Sequence, residues 1–153
     1  MPATQTAPAT ILDQIVANIH AARAAEPVSS PAARACAAAV LDLWNAPQVV
    51  RDYLLTAHAT LRPEAARAAW AVANDYRSSG WQAHAAEAAA SAIDGAPVCR
   101  VVSAAAVAMG AHAATQVLGR GTAAYDASRA AELAFRAEWE PRVRPRVAMQ
   151  VAA

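Results

Sequence analysis

Residues 97–119 read PVCRVVSAAAVAMGAHAATQVLG, and no residue between Arg100 and Arg120 carries a formal charge. A helix this apolar has to be covered by other parts of a protein on most of its sides. Alanine forms the remaining face, which lets neighbouring helices approach closely. The larger side chains recur at helical spacing on one broad stripe, which consists of Val98, Val101, Val102, Met109 and Val117. We therefore expect residues 97–119 to form the central helix of a bundle.

The same stretch is long enough to raise the question of a membrane span. Alanine gains little from transfer into lipid, however, and polar side chains interrupt the stretch at Ser103, His112, Thr115 and Gln116. The chain contains no second stretch of this kind. The pattern therefore favours a helix buried inside a soluble protein, with no membrane partner.

The composition predicts one helical domain with few large core side chains. A chain of 153 residues suits a single domain that can bury a real core. Hydrophobic residues make up 57% of it and charged residues only 16%, but much of the apolar share is alanine, a strong helix former that fills a core poorly. We expect the burial to depend on a few aromatic anchors, namely Trp44, Trp70, Trp81, Phe135 and Trp139.

Net charge and cysteines exclude some partners and compartments. A formal net charge of +1 argues against a nucleic-acid partner. Residues 1–9 have neither the basic start nor the apolar core of a signal peptide. We therefore expect a cytoplasmic protein in which Cys36 and Cys99 are reduced, buried and inert, with a disulfide between them as the alternative.

Caps and prolines divide the chain into helices, and no segment shows the alternation of a strand. Thr10 with Asp13 resembles a capping box, and Ser30 before Pro31 is a favourable N-terminus. We predict an all-α fold, a compact bundle of about six to seven helices around residues 97–119. Residues 1–9 are predicted to be a disordered tail, 10–140 one helical domain and 141–153 an extended tail. The predicted helices run over residues 10–25, 31–45, 47–61, 63–77, 81–94, 97–119 and 122–140.

His112 is the most interesting polar residue of the apolar stretch, because a buried imidazole needs partners for its nitrogens. One interpretation is a core histidine bonded to a carbonyl or to a tyrosine hydroxyl. The other is a cavity beside the central helix, in which His112, Gln116 and Tyr53 supply the few polar groups of a ligand site.

Other polar residues give weaker signals. His84 and Glu87 have the spacing of two metal ligands on one helix, but the sequence offers no matching set of inward carboxylates, so we predict neither a metal site nor a cofactor. Arg142, Arg144 and Arg146 form the densest basic cluster, which could bind an acidic partner or could be part of a tail that is exposed or docks on the protein itself. Aromatic residues for stacking on nucleic-acid bases are missing around it.

Residues 62–145 carry a family resemblance. Arg62-Pro63 opens a helix, and three alanine-rich motifs and a tryptophan-containing end follow, which read HAAEAAASA (84–92), AAAVAMGAHAATQV (104–117), TAAYDASRAAE (122–132) and EWEPRVRP (138–145). This pattern resembles the all-helical Imm-5-like immunity proteins found beside bacterial polymorphic toxins. The family has further histidines just after the Ala-Thr pair, where this chain has Gln116 and Arg120. The resemblance implies an all-helical bacterial protein that inhibits a protein partner by binding it.

Three functional hypotheses follow. The first is a small, non-enzymatic interaction protein, such as an immunity-like inhibitor, that binds a protein partner or a copy of itself. The second is a helical pocket protein, a small-ligand binder or enzyme, built around His112. The third is a structural subunit of a homo-oligomeric assembly. Neighbouring genes would separate the first two, and a stable closed oligomer at low concentration would indicate the third.

Overall fold

The computed structural model describes residues 10–25, 30–117 and 121–143, with the backbone alone for residues 19–25. Within these residues it contains seven α-helices, two short 3-10 turns (Leu41–Leu43 and Ala59–Leu61) and no strand, which confirms the all-α bundle. The helices are α1 (Ile11–Ala25), α2 (Pro31–Ala38), α3 (Gln48–Thr56), α4 (Arg62–Ala73), α5 (Gly80–Ile93), α6 (Val98–Thr115) and α7 (Thr122–Val143). The predicted tail of residues 1–9 and all of the C-terminal tail after Val143 lie outside the described residues.

The helix starts follow from local hydrogen bonds. The Thr10 hydroxyl and backbone N–H donate to Asp13 Oδ2 at 2.7 and 3.1 Å, and the Asp13 N–H donates back to the hydroxyl at 3.2 Å. These bonds lower the pKa of Asp13, so the cap is intact at neutral pH and is lost as the pH falls through that lowered value. At α2, the Ala33 N–H donates to Ser30 Oγ at 3.1 Å, and Pro31 occupies the first turn. Both predicted caps are confirmed.

Several helix ends differ from the prediction. We expected one helix over residues 31–45, but α2 ends at Ala38 and a 3-10 turn follows, in which Leu41 is buried in the core. The third helix ends at Thr56 because Ala57 adopts the left-handed conformation, with φ of 54°. α4 ends at Ala73, and the Ser78 hydroxyl donates to a carbonyl of its last turn, Val72 O, at 3.0 Å.

Gly80 and Pro141 also have roles that differ from those expected. The fifth helix was expected to begin at residue 81, but α5 begins at Gly80 behind the N-cap Ser79, whose backbone N–H donates to Gln82 Oε1 at 3.3 Å. Pro141 was expected to end the last helix, but α7 continues through it to Val143. Proline has no backbone N–H, so a helix that contains one loses a hydrogen bond at that position. The contact of Val143 with the core offsets that loss.

The core is a set of closely packed alanines with a few large anchors. α6 lies against α5 and α7 and also contacts α2, while α5 contacts α2, α3, α4 and α6. Eight of the 14 residues of α5 are buried and seven of the 18 residues of α6, so α5 is the more completely enclosed of the two. By length and composition alone α6 could cross a membrane, but in this structure it packs on α5 and α7. Three of the five expected aromatic anchors, Trp44, Phe135 and Trp139, are buried, whereas Trp70 and Trp81 are half-buried.

Candidate functional site: an exposed apolar helix

The three residues expected to share a pocket lie on or just after two helices, α3 and α6. Tyr53 is fully buried on α3, which packs against α2, α4 and α5. His112 is half-buried near the end of α6, and Gln116 is exposed just after it. None of the three cavities described below is lined by any of these residues. Ligand binding by His112, Gln116 and Tyr53 stays a prediction.

His112 makes a packing contact between two helices. Its ring meets the edge of Trp81, at the start of α5, with centroids 6.1 Å apart and planes at 64°. The His112 carbonyl accepts a hydrogen bond from Thr115 Oγ1 at 2.6 Å, and Gln116 Nε2 donates to the same hydroxyl at 3.2 Å. Since the imidazole is half-exposed, solvent can reach it. The carbonyl or tyrosine partner expected for its nitrogens is not found among the described residues.

The basic cluster is described only in part. Arg142 lies on α7, where its guanidinium is 3.3 Å from Glu138 Oε1 and 4.9 Å from the centre of the Trp139 ring. It is therefore engaged within its own helix, by an i,i+4 ion pair and a cation–π contact. Arg144 and Arg146 lie outside the described residues, so partner binding by this cluster stays a prediction.

His84 and Glu87 lie on α5 as a pair, with Nδ1 and Oε2 3.5 Å apart. They border a cavity of about 200 Å³ between α5 and α6, which Arg100 and Ser103 also line. Within the described ranges, no group of three or more histidine, cysteine, aspartate or glutamate side chains comes together. The structure thus shows a contact between two side chains of the same helix.

Cys99 lies at a second cavity, of about 260 Å³, between α6 and α7, together with Val102, Arg136, Glu140 and Val143. Arg136 Nη2 donates to Ser103 Oγ at 3.2 Å, and Arg136 Nη1 is 3.7 Å from Glu140 Oε1. Both cysteines are free, but only Cys36 is buried, so the expectation that Cys99 is buried is wrong. Cys99 is in the first turn of α6, before the helix enters the space between its neighbours.

This difference predicts selective thiol chemistry. Burial raises the pKa of Cys36 to about 12, which removes its thiolate at neutral pH, whereas Cys99 is open to solvent. We expect a disulfide reagent to titrate a single thiol in the native protein and both thiols in denaturant. The native Cys99→Ser variant should not react with the reagent. Rapid labelling of the native Cys99→Ser variant would contradict the burial of Cys36.

Four of the eight exposed large hydrophobic side chains among the described residues lie on α1. The side chains of Ile11, Leu12, Ile15 and Val16 are 78%, 68%, 48% and 44% exposed. We call these four residues the α1 stripe. α1 makes no substantial contact with any other described helix. The sequence predicts an amphipathic first helix here, but hydrophobic spacing carries no signal that its apolar side is left uncovered.

A groove between α2 and α3 is a second apolar surface. Its cavity of about 400 Å³ is roomier than the two others. Ala35, Ala38, Leu41 and Leu54 form its apolar lining, and Leu55 at its edge is 83% exposed. The remaining lining residues are Pro31, Arg34 and Arg51. Sequence reasoning missed this groove because it depends on how two short helices are placed side by side.

Comparison of the chain with models of protein families, with curated proteins and with solved structures gave no match. Function is therefore inferred from the chain's own surface and packing.

Proposed function

We propose that this protein is a small, non-enzymatic interaction protein that binds a protein partner through the α1 stripe. The single observation behind the proposal is the exposure of four adjacent large aliphatic side chains on one side of a helix. Isolated exposed apolar residues are common on protein surfaces, but a contiguous apolar patch is typical of a binding surface. An amphipathic helix that lays its apolar side in a groove is a recurrent mode of protein recognition.

The size of the stripe suits this role. Complete burial of a large aliphatic side chain contributes about 1.5–3 kcal/mol, so the four residues together contribute at most roughly 6–12 kcal/mol. Association costs about 4–15 kcal/mol in lost freedom of motion. The stripe alone therefore supports weak binding, and a stable complex requires a partner that covers further surface.

The family resemblance supports the same class of function. Immunity proteins act by binding a partner rather than by turnover, and the resemblance covers residues 62–145, which span α4 to α7. The resemblance does not include α1. It therefore supports the class of function but does not indicate which surface binds the partner. If the chain is an immunity-like inhibitor, its cognate toxin should be encoded beside its own gene.

A substitution in the stripe tests the proposal. We expect Ile15→Asp to weaken association, because burying an aspartate in an apolar contact costs at least about 2 kcal/mol, or about 30-fold in the dissociation constant. Ala17→Asp is the matched control, since Ala17 is exposed and lies on the opposite side of α1. Sedimentation equilibrium of the chain and titration with the product of the neighbouring gene are the measurements. The proposal fails if Ile15→Asp associates as the wild type does in both, or if the wild type associates in neither.

A further inference from the structure

We infer that the cavity between α5 and α6 binds a small aliphatic α-amino acid, whose carboxylate contacts Arg100 and Ser103 and whose ammonium contacts Glu87. The cavity does not involve the α1 stripe, so the inference goes beyond the proposed function. Its volume is about 200 Å³, and its lining residues are His84, Glu87, Arg100, Ser103, Ala104 and Val107. Since drug-sized ligands occupy pockets of roughly 300–1,000 Å³, this cavity suits a smaller molecule.

Helical spacing brings the lining side chains together from two neighbouring helices. His84 and Glu87 lie three residues apart on α5, which packs against α6. The i, i+3, i+4 and i+7 spacing places four further lining residues on one side of α6, namely Arg100, Ser103, Ala104 and Val107. The cavity therefore combines charged, polar and apolar groups in a small space.

Two opposite charges line this cavity without forming an ion pair. The exposed Arg100 guanidinium has no ion pair or hydrogen bond with any other residue that the structure describes. Glu87 Oε2 is 3.5 Å from His84 Nδ1, whereas Glu87 Oε1 has no partner among the described side chains. Arginine binds carboxylates in a bidentate manner, and an ammonium is attracted to a carboxylate. A molecule that carries both groups satisfies both charges, whereas Glu87 repels a simple anion.

Ser103 supplies a hydrogen-bond donor beside Arg100. Ser103 Oγ accepts a hydrogen bond from Arg136 Nη2 on α7, at 3.2 Å, which holds the hydroxyl oxygen in place. The hydroxyl proton has no acceptor among the described residues, so it is available to a ligand. A carboxylate at Arg100 can therefore also accept from Ser103.

The apolar part of the lining favours an aliphatic side chain. Ala104 is 7% exposed and Val107 is half-buried, and neither side chain has a polar atom. An aliphatic group placed against them is removed from water, which stabilises the complex. We therefore expect L-valine to bind more tightly than glycine, which has no side chain to bury.

Titration of the isotope-labelled full chain with L-valine, followed by NMR, tests the inference. We expect saturable shifts of the amide signals of the cavity lining. Arg100→Gln removes the cation, and the loss of a hydrogen bond between charged groups should weaken binding by about 10-fold or more. Arg67→Gln is the matched control and should bind as the wild type does, because Arg67 is exposed on α4, which contributes no residue to this cavity.

Two analogues of valine test the two charges separately. Isovalerate lacks the ammonium group and isobutylamine lacks the carboxylate, and we expect each to bind the wild type about 10-fold more weakly than valine. Glu87→Gln should abolish the preference for valine over isovalerate. Glu64→Gln, at an exposed position on α4, is the control and should retain it.

Three results would overturn the inference. The first is the absence of saturable shifts when valine is added to the wild type. The second is equal binding of valine by Arg100→Gln and Arg67→Gln. The third is binding of isovalerate as tight as that of valine, which would show that the cavity takes a carboxylate alone. None of these measurements depends on α1, so they leave the proposed function unaffected.

Discussion

Replacement of Phe135 by alanine is expected to lower the free energy of unfolding by about 3–5 kcal/mol, the usual cost of deleting a buried aromatic ring. Phe135 is 6% exposed and stacks on Trp139, with ring centroids 6.0 Å apart and planes at 26°. These two aromatic residues are the only buried side chains of α7 among the described residues. The bundle's many core alanines are too small to fill the space that the ring would leave.

Thermal unfolding followed by circular dichroism checks this prediction. For a domain of this size, 1 kcal/mol corresponds to about 2–4 °C in Tm, so we expect a decrease of roughly 6–20 °C. Leu133→Ala is the control on the same helix, because Leu133 is 54% exposed, and its effect should stay within about 0.5 kcal/mol. Equal losses from the two variants would show that α7 is not anchored through Phe135.

The second large effect is expected at Gly110, where α6 and α7 come closest. A Cβ atom on Gly110 would lie 2.6 Å from Glu132 Cγ and 2.9 Å from the Ser128 carbonyl oxygen. The glutamate side chain can move, but the Ser128 backbone cannot move without displacing α7. We expect Gly110→Val to cost about 3 kcal/mol, the upper end of the usual range for overpacking. Gly110→Ala should cost less, because alanine regains about 1 kcal/mol of helix propensity.

Gly80 provides the matched control for Gly110. It also lies in a helix, at the first position of α5, but a Cβ atom there would meet nothing within 4 Å. Gly80→Ala should therefore be neutral or stabilising by up to about 1 kcal/mol. Urea unfolding of the three variants measures these differences. If Gly110→Ala were as stable as Gly80→Ala, the close approach of α6 and α7 would be wrong.

The sequence identified those surface features whose residues all lie on one helix. The spacing of Ile11, Leu12, Ile15 and Val16 identifies the apolar side of α1, and the i,i+3 spacing of His84 and Glu87 identifies their side-chain contact. Contacts between helices are not encoded in this local spacing. Tyr53 is on α3 and His112 is on α6, and these two helices make no substantial contact with each other. The groove beside Leu55 could not be predicted at all.

The positions at which helices begin follow from the sequence because capping is local. Thr10 and Asp13, and likewise Ser30 and Pro31, act within three residues of each other, so their effect does not depend on the rest of the fold. The positions at which helices end are determined less by the local sequence. The continuation of α7 past Pro141 reflects the contact of Val143 with the core, which lies outside the local sequence.

Tertiary structure decides which apolar surfaces are covered. The alanine-rich stretches of α5 and α6 are nearly equivalent by composition, yet α5 is the more enclosed because it has neighbours on more sides. The α1 stripe has the same periodicity as a core helix and remains exposed. Periodicity records only which side chains share one side of a helix. Whether another helix lies against that side depends on how the helices are arranged, because burial requires a second surface to exclude the water.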